Sequence, residues 1–196
     1  MTVILDYGMG NLRSVTQALT AVGCESCVQT NLKGASKLII PGVGAFGAAM
    51  ERLRPLASDI RNAAADGMPI LGLCLGQQLL FEASEERGSH IGLGLLGGKV
   101  VYLTPQAGLK IPHVGWNALH YRRREGPTTG AAEGEQVYFV HSLVSVCADP
   151  ADVIATATHG IEFAAAVGRA NMWGCQFHPE KSGEIGLRML RRFAAC

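Results

Sequence analysis

Apolar positions in the first half of the chain fall into short runs separated by helical periodicities. Thr2, Val3, Ile4 and Leu5 read as an opening strand. Leu12, Val15, Leu19 and Val22 then recur at helical spacing, with Asn11 placed as the N-cap and Gly23 as the stop. Runs near residues 24–29, 37–40 and 69–73 predict further strands, the last two separated by helical stretches around 45–65. Strands alternating with helices mark a parallel sheet joined by crossover helices. After Gly98 the pattern changes. Segments near 99–103, 137–146, 152–158, 162–167 and 172–177 alternate or run apolar with little helix between them, which predicts additional strands, some antiparallel. A last helix from about Ser182 buries Ile185, Met189, Leu190 and Phe193 and places Arg191 and Arg192 at its negative end. The expected architecture is α/β: an open, mostly parallel twisted sheet with flanking helices and additional antiparallel strands.

Length and composition narrow the classes. With 196 residues and no linker, repeat or low-complexity tract, a single domain over residues 1–196 is expected. Hydrophobic residues make up 48%, enough for a buried sheet, but no apolar run approaches the roughly 18 residues of a membrane span. Seventeen basic against 16 acidic residues leave a charge of +1, which gives no field directed at nucleic acid or an anionic membrane. The one basic cluster, Arg122 to Arg124, reads as a solvated loop. The first residues lack the basic stretch and long apolar run of an export signal, which favours the cytoplasm. Cys24, Cys27, Cys74, Cys147, Cys175 and Cys196 are expected to be free thiols. Cys24 and Cys27 form a C-x-x-C pair, but it opens a strand and no second cluster completes a zinc site, so neither metal nor cofactor is expected.

The chemistry concentrates at Gly72-Leu73-Cys74-Leu75-Gly76, where a short apolar strand runs into a helix. G-x-C-x-G is the cysteine form of a nucleophile elbow. The turn strains the central residue, the glycines remove side chains that would collide, and the helix N-terminus favours thiolate over thiol. A buried cysteine between packing glycines is the plain alternative. Of six histidines, His178 alone has an obvious orienting partner. In His178-Pro179-Glu180, proline holds the backbone extended, so that positions two apart point the same way and Glu180 reaches the imidazole. Taken alone, that tripeptide reads more readily as a strand end with a surface carboxylate, and the cysteine elbow reverses the balance. Cys175, three positions from His178, would face the other side and is read as core. Pro41-Gly42-Val43-Gly44 follows an apolar strand and can present an N–H to a developing oxyanion. Gly42, Gly44 and Gly47 also spell G-x-G-x-x-G. A dinucleotide fold needs an acidic residue at the end of the next strand, where this chain has Cys74.

Gly72-Leu73-Cys74-Leu75-Gly76 with Gln78, and the distant Phe177-His178-Pro179-Glu180, closely resemble the triad (class I) glutamine amidotransferases. Blocks at Asp6 to Ser14, Pro41 to Gly44, Pro112 to Asn117, Tyr138 to Ser142 and His178 to Gly183 narrow the resemblance to the glutaminase subunits of imidazole glycerol phosphate synthase, over nearly the whole chain. The resemblance implies Cys74 as nucleophile, His178 as base and then acid, and Glu180 as its orienter. It implies the amides of Val43 and Leu75 as oxyanion donors, and Gly44, Gln78 and the His141, Ser142 and Leu143 backbone as the glutamine site. It further implies a barrel-shaped cyclase partner in a 1:1 heterodimer, receiving ammonia to make imidazole glycerol phosphate and AICAR in histidine synthesis. Asn11, Trp116, Tyr138, His141 and Lys181 match positions near that interface. One departure is Leu143, where the family usually has Tyr. Other readings are a glutaminase subunit serving pyridoxal phosphate synthesis, a non-catalytic subunit that regulates a partner, and a cysteine peptidase or stress protein. Gln78 and residues 112–117 speak against the last of these.

Overall fold

A computed structural model describes residues 1–196. The first half alternates as its apolar pattern requires. Strand β1 (Thr2–Leu5) leads to helix α1 (Leu12–Ala21), β2 (Ser26–Gln29) and β3 (Lys37–Ile40). Helices α2 (Phe46–Leu53) and α3 (Ala57–Ala65) then precede β4 (Ile70–Leu73) and the short α4 (Leu75–Leu79). All residues of β1 and β4 are buried, which is why these strands read as continuous apolar runs.

The second half supplies ten strands and a helix. They are β5 (Phe81–Ser84), β6 (His90–Ile91), β7 (Leu96–Tyr102), β8 (His113–Ala118) and β9 (His120–Tyr121). β10 (Gln136–His141), β11 (Leu143–Cys147), β12 (Val153–His159), β13 (Ile161–Arg169), β14 (Met172–Cys175) and α5 (Gly183–Ala194) follow. The main sheet has the order β2-β1-β3-β4-β14-β13-β12-β9. It is parallel from β2 through β14 and antiparallel from β14 to β9. A second sheet, β11-β7-β5-β6, and a two-stranded ribbon, β8 with β10, stand apart from it.

Strand alternation divides the core between the two faces of the main sheet. Val3, Leu5, Leu38 and Ile40 pack with Phe46, Leu53, Ile60, Leu96 and Val100, under α2, α3 and β7. Ile4, Ile39, Leu71 and Leu73 pack with Val15, Leu19, Phe139, Leu190 and Phe193, under α1, α5 and β10.

Two expectations change. The apolar run at 137–146 is two strands in different sheets, parted at Ser142, whose carbonyl accepts a hydrogen bond from Leu103 N–H at 2.9 Å. The arginines at 122–124 do lie on a loop, with Arg122 and Arg124 exposed, but the loop is tied down by partners. Arg122 pairs with Glu162 at 2.8 Å, Arg123 donates to Glu125 and to the Gly168 carbonyl, and Arg124 lies 4.9 Å above the Tyr121 ring. Tyr121 and Glu125 are neighbours in sequence, whereas Glu162 and Gly168 arrive from β13, of which the order of these residues gives no sign.

Candidate active site

The thiol of Cys74 sits where β4 gives way to α4, with φ +52° and ψ −108°. A non-glycine residue there carries strain on the order of 1–3 kcal/mol, which surrounding packing has to hold. Two glycines make that packing possible. A Cβ at Gly72 would come within 2.6 Å of Gln77 N, and one at Gly76 would overlap the Ile40 carbonyl. β3, β4 and α4 therefore approach as closely as backbones can, and Cys74 is forced out at the turn.

β14 runs beside β4 with Cys175 opposite Leu73, so the chain leaving β14 carries Gln176, Phe177 and His178 past the elbow. His178 Nδ1 lies 2.7 Å from Glu180 Oε1, and both side chains are 3% exposed. A carboxylate only accepts, so Nδ1 carries the proton and Nε2 is the atom left for chemistry. Nε2 is buried and without a hydrogen-bond partner in the protein. Burial opposes protonation of this ring, but the nearby Cys74 sulfur and the Glu180 carboxylate outweigh it and raise the imidazole to about 10. The main chain is clamped as well: His178 N–H donates to the Tyr138 carbonyl at 2.9 Å, and Ser182 Oγ donates to the His178 carbonyl at 2.6 Å. Cys175 is buried core, as its spacing predicts.

Cys74 and His178 open into a cavity of about 410 Å³ also lined by Val43, Gly44, Leu75, Gln78, His141, Ser142 and Leu143. The structure thus gathers the residues placed at the oxyanion and glutamine sites around one space. A Cβ on Gly42 would lie 2.8 Å from Leu75 Cβ and 2.9 Å from Gly76 N, so the loop ahead of α2 rests directly on the elbow. Leu75 begins α4, where first-turn amides have no intrahelical acceptor. Leu143 places its side chain in the core, while its carbonyl accepts from Gln78 Nε2 at 3.4 Å and from His141 Nδ1 at 2.9 Å. Its main chain thus meets Gln78 and His141 beside the site, a role that does not depend on which side chain stands there.

The His141 imidazole is turned inward, with both nitrogens occupied. Because Nδ1 donates to a carbonyl, Nε2 must accept, and His113 Nδ1 donates to it at 2.9 Å. His113 Nε2 in turn accepts from Asn117 Nδ2 at 3.3 Å. Burial pushes His141 down to about 3 and His113 down to about 4, with neighbouring imidazoles adding to the shift, so both rings stay neutral.

Glu86, Arg87 and Tyr7 were not anticipated. Glu86 and Arg87 line the cavity mouth, and Glu86 Oε2 accepts the Phe46 N–H at 2.5 Å, capping α2, whose own N-cap residue Ala45 offers no side-chain acceptor. Tyr7 donates to the Pro41 carbonyl at 2.7 Å, and burial with the nearby Cys74 pushes its phenol well up, so it remains a donor. In sequence Glu86 is one of an acidic run, Glu82, Glu85 and Glu86, that looks like solvated surface.

Of the positions matched to an interface, Trp116 is 55% exposed and packs edge-on against half-buried Tyr138, ring centroids 6.1 Å apart. Asn11 and Lys181 are exposed. Asn11 Oδ1 also accepts the Ser14 N–H at 3.3 Å, which makes it the expected cap of α1.

Residues 3–195 match the family described as Glutamine amidotransferase class-I. The chain is 47% identical to the imidazole glycerol phosphate synthase subunit HisH of Rhodopirellula baltica, with 100% of this chain and 98% of the relative covered. It is also 47% identical to the HisH subunit of Aquifex aeolicus, covering 98% of this chain and 95% of that one. In fold it is similar to a crystal structure of a glutamine amidotransferase, with a TM-score of 0.77 at 19% identity over 100% and 99% of the two chains. PurLQS from Thermotoga maritima gives a TM-score of 0.76 at 24% identity over 98% and 96%.

Proposed function

The chain belongs to the class-I glutamine amidotransferases, in the HisH family of imidazole glycerol phosphate synthase subunits, and on that premise we propose that Cys74, His178 and Glu180 hydrolyse glutamine for a partner cyclase. The observation that carries the reading is the buried His178–Glu180 pair at 2.7 Å, which leaves Nε2 free in the cavity that holds the strained Cys74.

Cys74 thiolate attacks the side-chain amide carbon of glutamine, and the oxygen charge falls on the N–H groups of Val43 and Leu75. His178 gives its Nε2 proton to the departing nitrogen, so ammonia leaves and a thioester to the glutamyl group remains. His178, now neutral, takes a proton from water as its oxygen adds to the thioester, and glutamate departs with thiolate restored. Glu180 holds the ring in one tautomer through both halves. The Glu86 carboxylate at the cavity mouth suits the α-ammonium of the substrate. Every group that the hydrolysis calls on comes from this chain. A barrel-shaped cyclase, bound 1:1, takes up the ammonia and makes imidazole glycerol phosphate and AICAR. No helix is long and apolar enough to cross a membrane, and we place the pair in the cytoplasm.

Cys74→Ala, co-expressed with the cognate cyclase, is expected to abolish glutamine-dependent product formation and to leave synthesis from added ammonium salts near the wild-type rate. Equal loss of both activities in a well-formed complex would show that the two chemistries are not separable and overturn the assignment.

A further inference from the structure

Cys74 has a second polar neighbour deep in the site, besides His178. Gln176 is fully buried, and its Nε2 lies 3.6 Å from Cys74 Sγ, within reach of an N–H···S bond. We infer that Gln176 is a thiolate donor of the active site, with Gln78 fixing the direction of its amide. The inference rests on Cys74 being the nucleophile.

Which end of the Gln176 amide meets the sulfur follows from its partners. Gln78 Nε2 is 3.4 Å from the Leu143 carbonyl, an atom that can only accept. The same nitrogen is 2.9 Å from the side-chain oxygen of Gln176. With the nitrogen end of Gln78 set by a backbone carbonyl, Gln176 must turn its oxygen to Gln78 and its N–H to the sulfur. A backbone group thereby settles two side-chain orientations that isolated amides leave open. The Val140 carbonyl also lies 4.0 Å from the sulfur, an acceptor that does nothing for an anion.

Gln176 stands two residues before His178, at a bend in the chain leaving β14, and both side chains come to Cys74. The imidazole moves protons, while the amide cannot. Its N–H serves the sulfur only while the sulfur carries charge, and when a thioester forms the sulfur becomes a poor acceptor. Gln176 therefore raises the share of resting protein that is ready to attack, independently of bound glutamine. Gln78, which lines the cavity, acts on the sulfur through Gln176 and is a positioning residue in this respect.

The test is alkylation of Cys74 by iodoacetamide in the purified chain from pH 6 to 9.5, with the modified cysteine read by peptide mass spectrometry. In Gln176→Met, which keeps length but removes the donor, Cys74 is expected to react about tenfold more slowly at pH 7, as for one hydrogen bond to a charged group. The gap should close above pH 9, where the sulfur ionises without help. Gln78→Met, which leaves Gln176 in place but unpinned, should show a smaller slowing in the same pH direction, about threefold by the same reasoning. A wild-type alkylation profile in folded Gln176→Met overturns the inference, as does slowing of equal size at every pH, which marks a packing role. If Gln176→Met fails to melt cooperatively, Gln78→Met decides, and a wild-type profile there also overturns it. A wild-type chain whose Cys74 alkylates normally while its complex with the cyclase hydrolyses no glutamine would defeat the functional assignment and leave this inference standing.

Discussion

His113 and His141 show how single residues tie this molecule to pH. Both are buried, both are held neutral, and their folded values of about 4 and about 3 lie below the ordinary 6.5. Above pH 6.5 neither the folded nor the unfolded chain protonates them, and their contribution to stability is complete. As pH falls through the window from 6.5 to 4, the unfolded chain takes up protons that the fold refuses. Stability should then drop by about 1.4 kcal/mol per pH unit for each ring. Chemical denaturation of wild type and of His113→Gln/His141→Gln between pH 7 and 4 measures this. The double variant, though less stable at neutral pH, should lose stability with acid along a visibly shallower line. Parallel lines for the two proteins would mean that the rings already titrate normally in the fold.

At the scale of elements, α1 offers a clean check, because its cap and its place in the fold are both visible. Asn11→Ala removes the acceptor for the Ser14 N–H and should cost about 1 kcal/mol, seen as a lower denaturation midpoint with unchanged slope. Loss of partner binding in that variant would have to exceed this loss before Asn11 is credited with a contact across the interface. The strands β1, β3 and β4 were legible because they are buried on both faces and their residues say so. The elbow was legible because it is local in sequence, and so was the pairing of His178 with Glu180, although Pro179–Lys181 is a 3-10 turn and not the extended segment expected. β8 was not, since its alternation is inverted: His113 is buried while Val114 and Trp116 face outward, 56% and 55% exposed. Glu86 was hidden for another reason. Its role depends on the N-terminus of α2, forty residues earlier, and a carboxylate capping a distant helix carries no mark in its own neighbourhood. The inward turn of His141 depends in the same way on His113, supplied by the facing strand of the ribbon.

For the whole molecule, the inverted ribbon marks a face that solvent does not explain. Val114, Trp116 and Val140 stand exposed on paired strands, and the Tyr138 carbonyl between them receives the His178 amide. Trp116→Ala is expected to weaken binding to the cyclase at least about tenfold, as loss of an aromatic anchor does, with the free chain equally stable. Titration calorimetry on the purified subunits reads this, and unchanged affinity would move the interface elsewhere. The sheet order has one more consequence. β14 lies between β4 and β13, yet every other strand precedes it in the chain. Ribosomes release a protein from its N-terminus, so the middle of this sheet is the last part to be made. Until then β4 and β13 each present an open edge to any passing strand. The cysteine is in place a hundred residues before the histidine that serves it. A growing chain is thus vulnerable to mispairing but chemically mute, and it gains its hydrolase on closing its own centre.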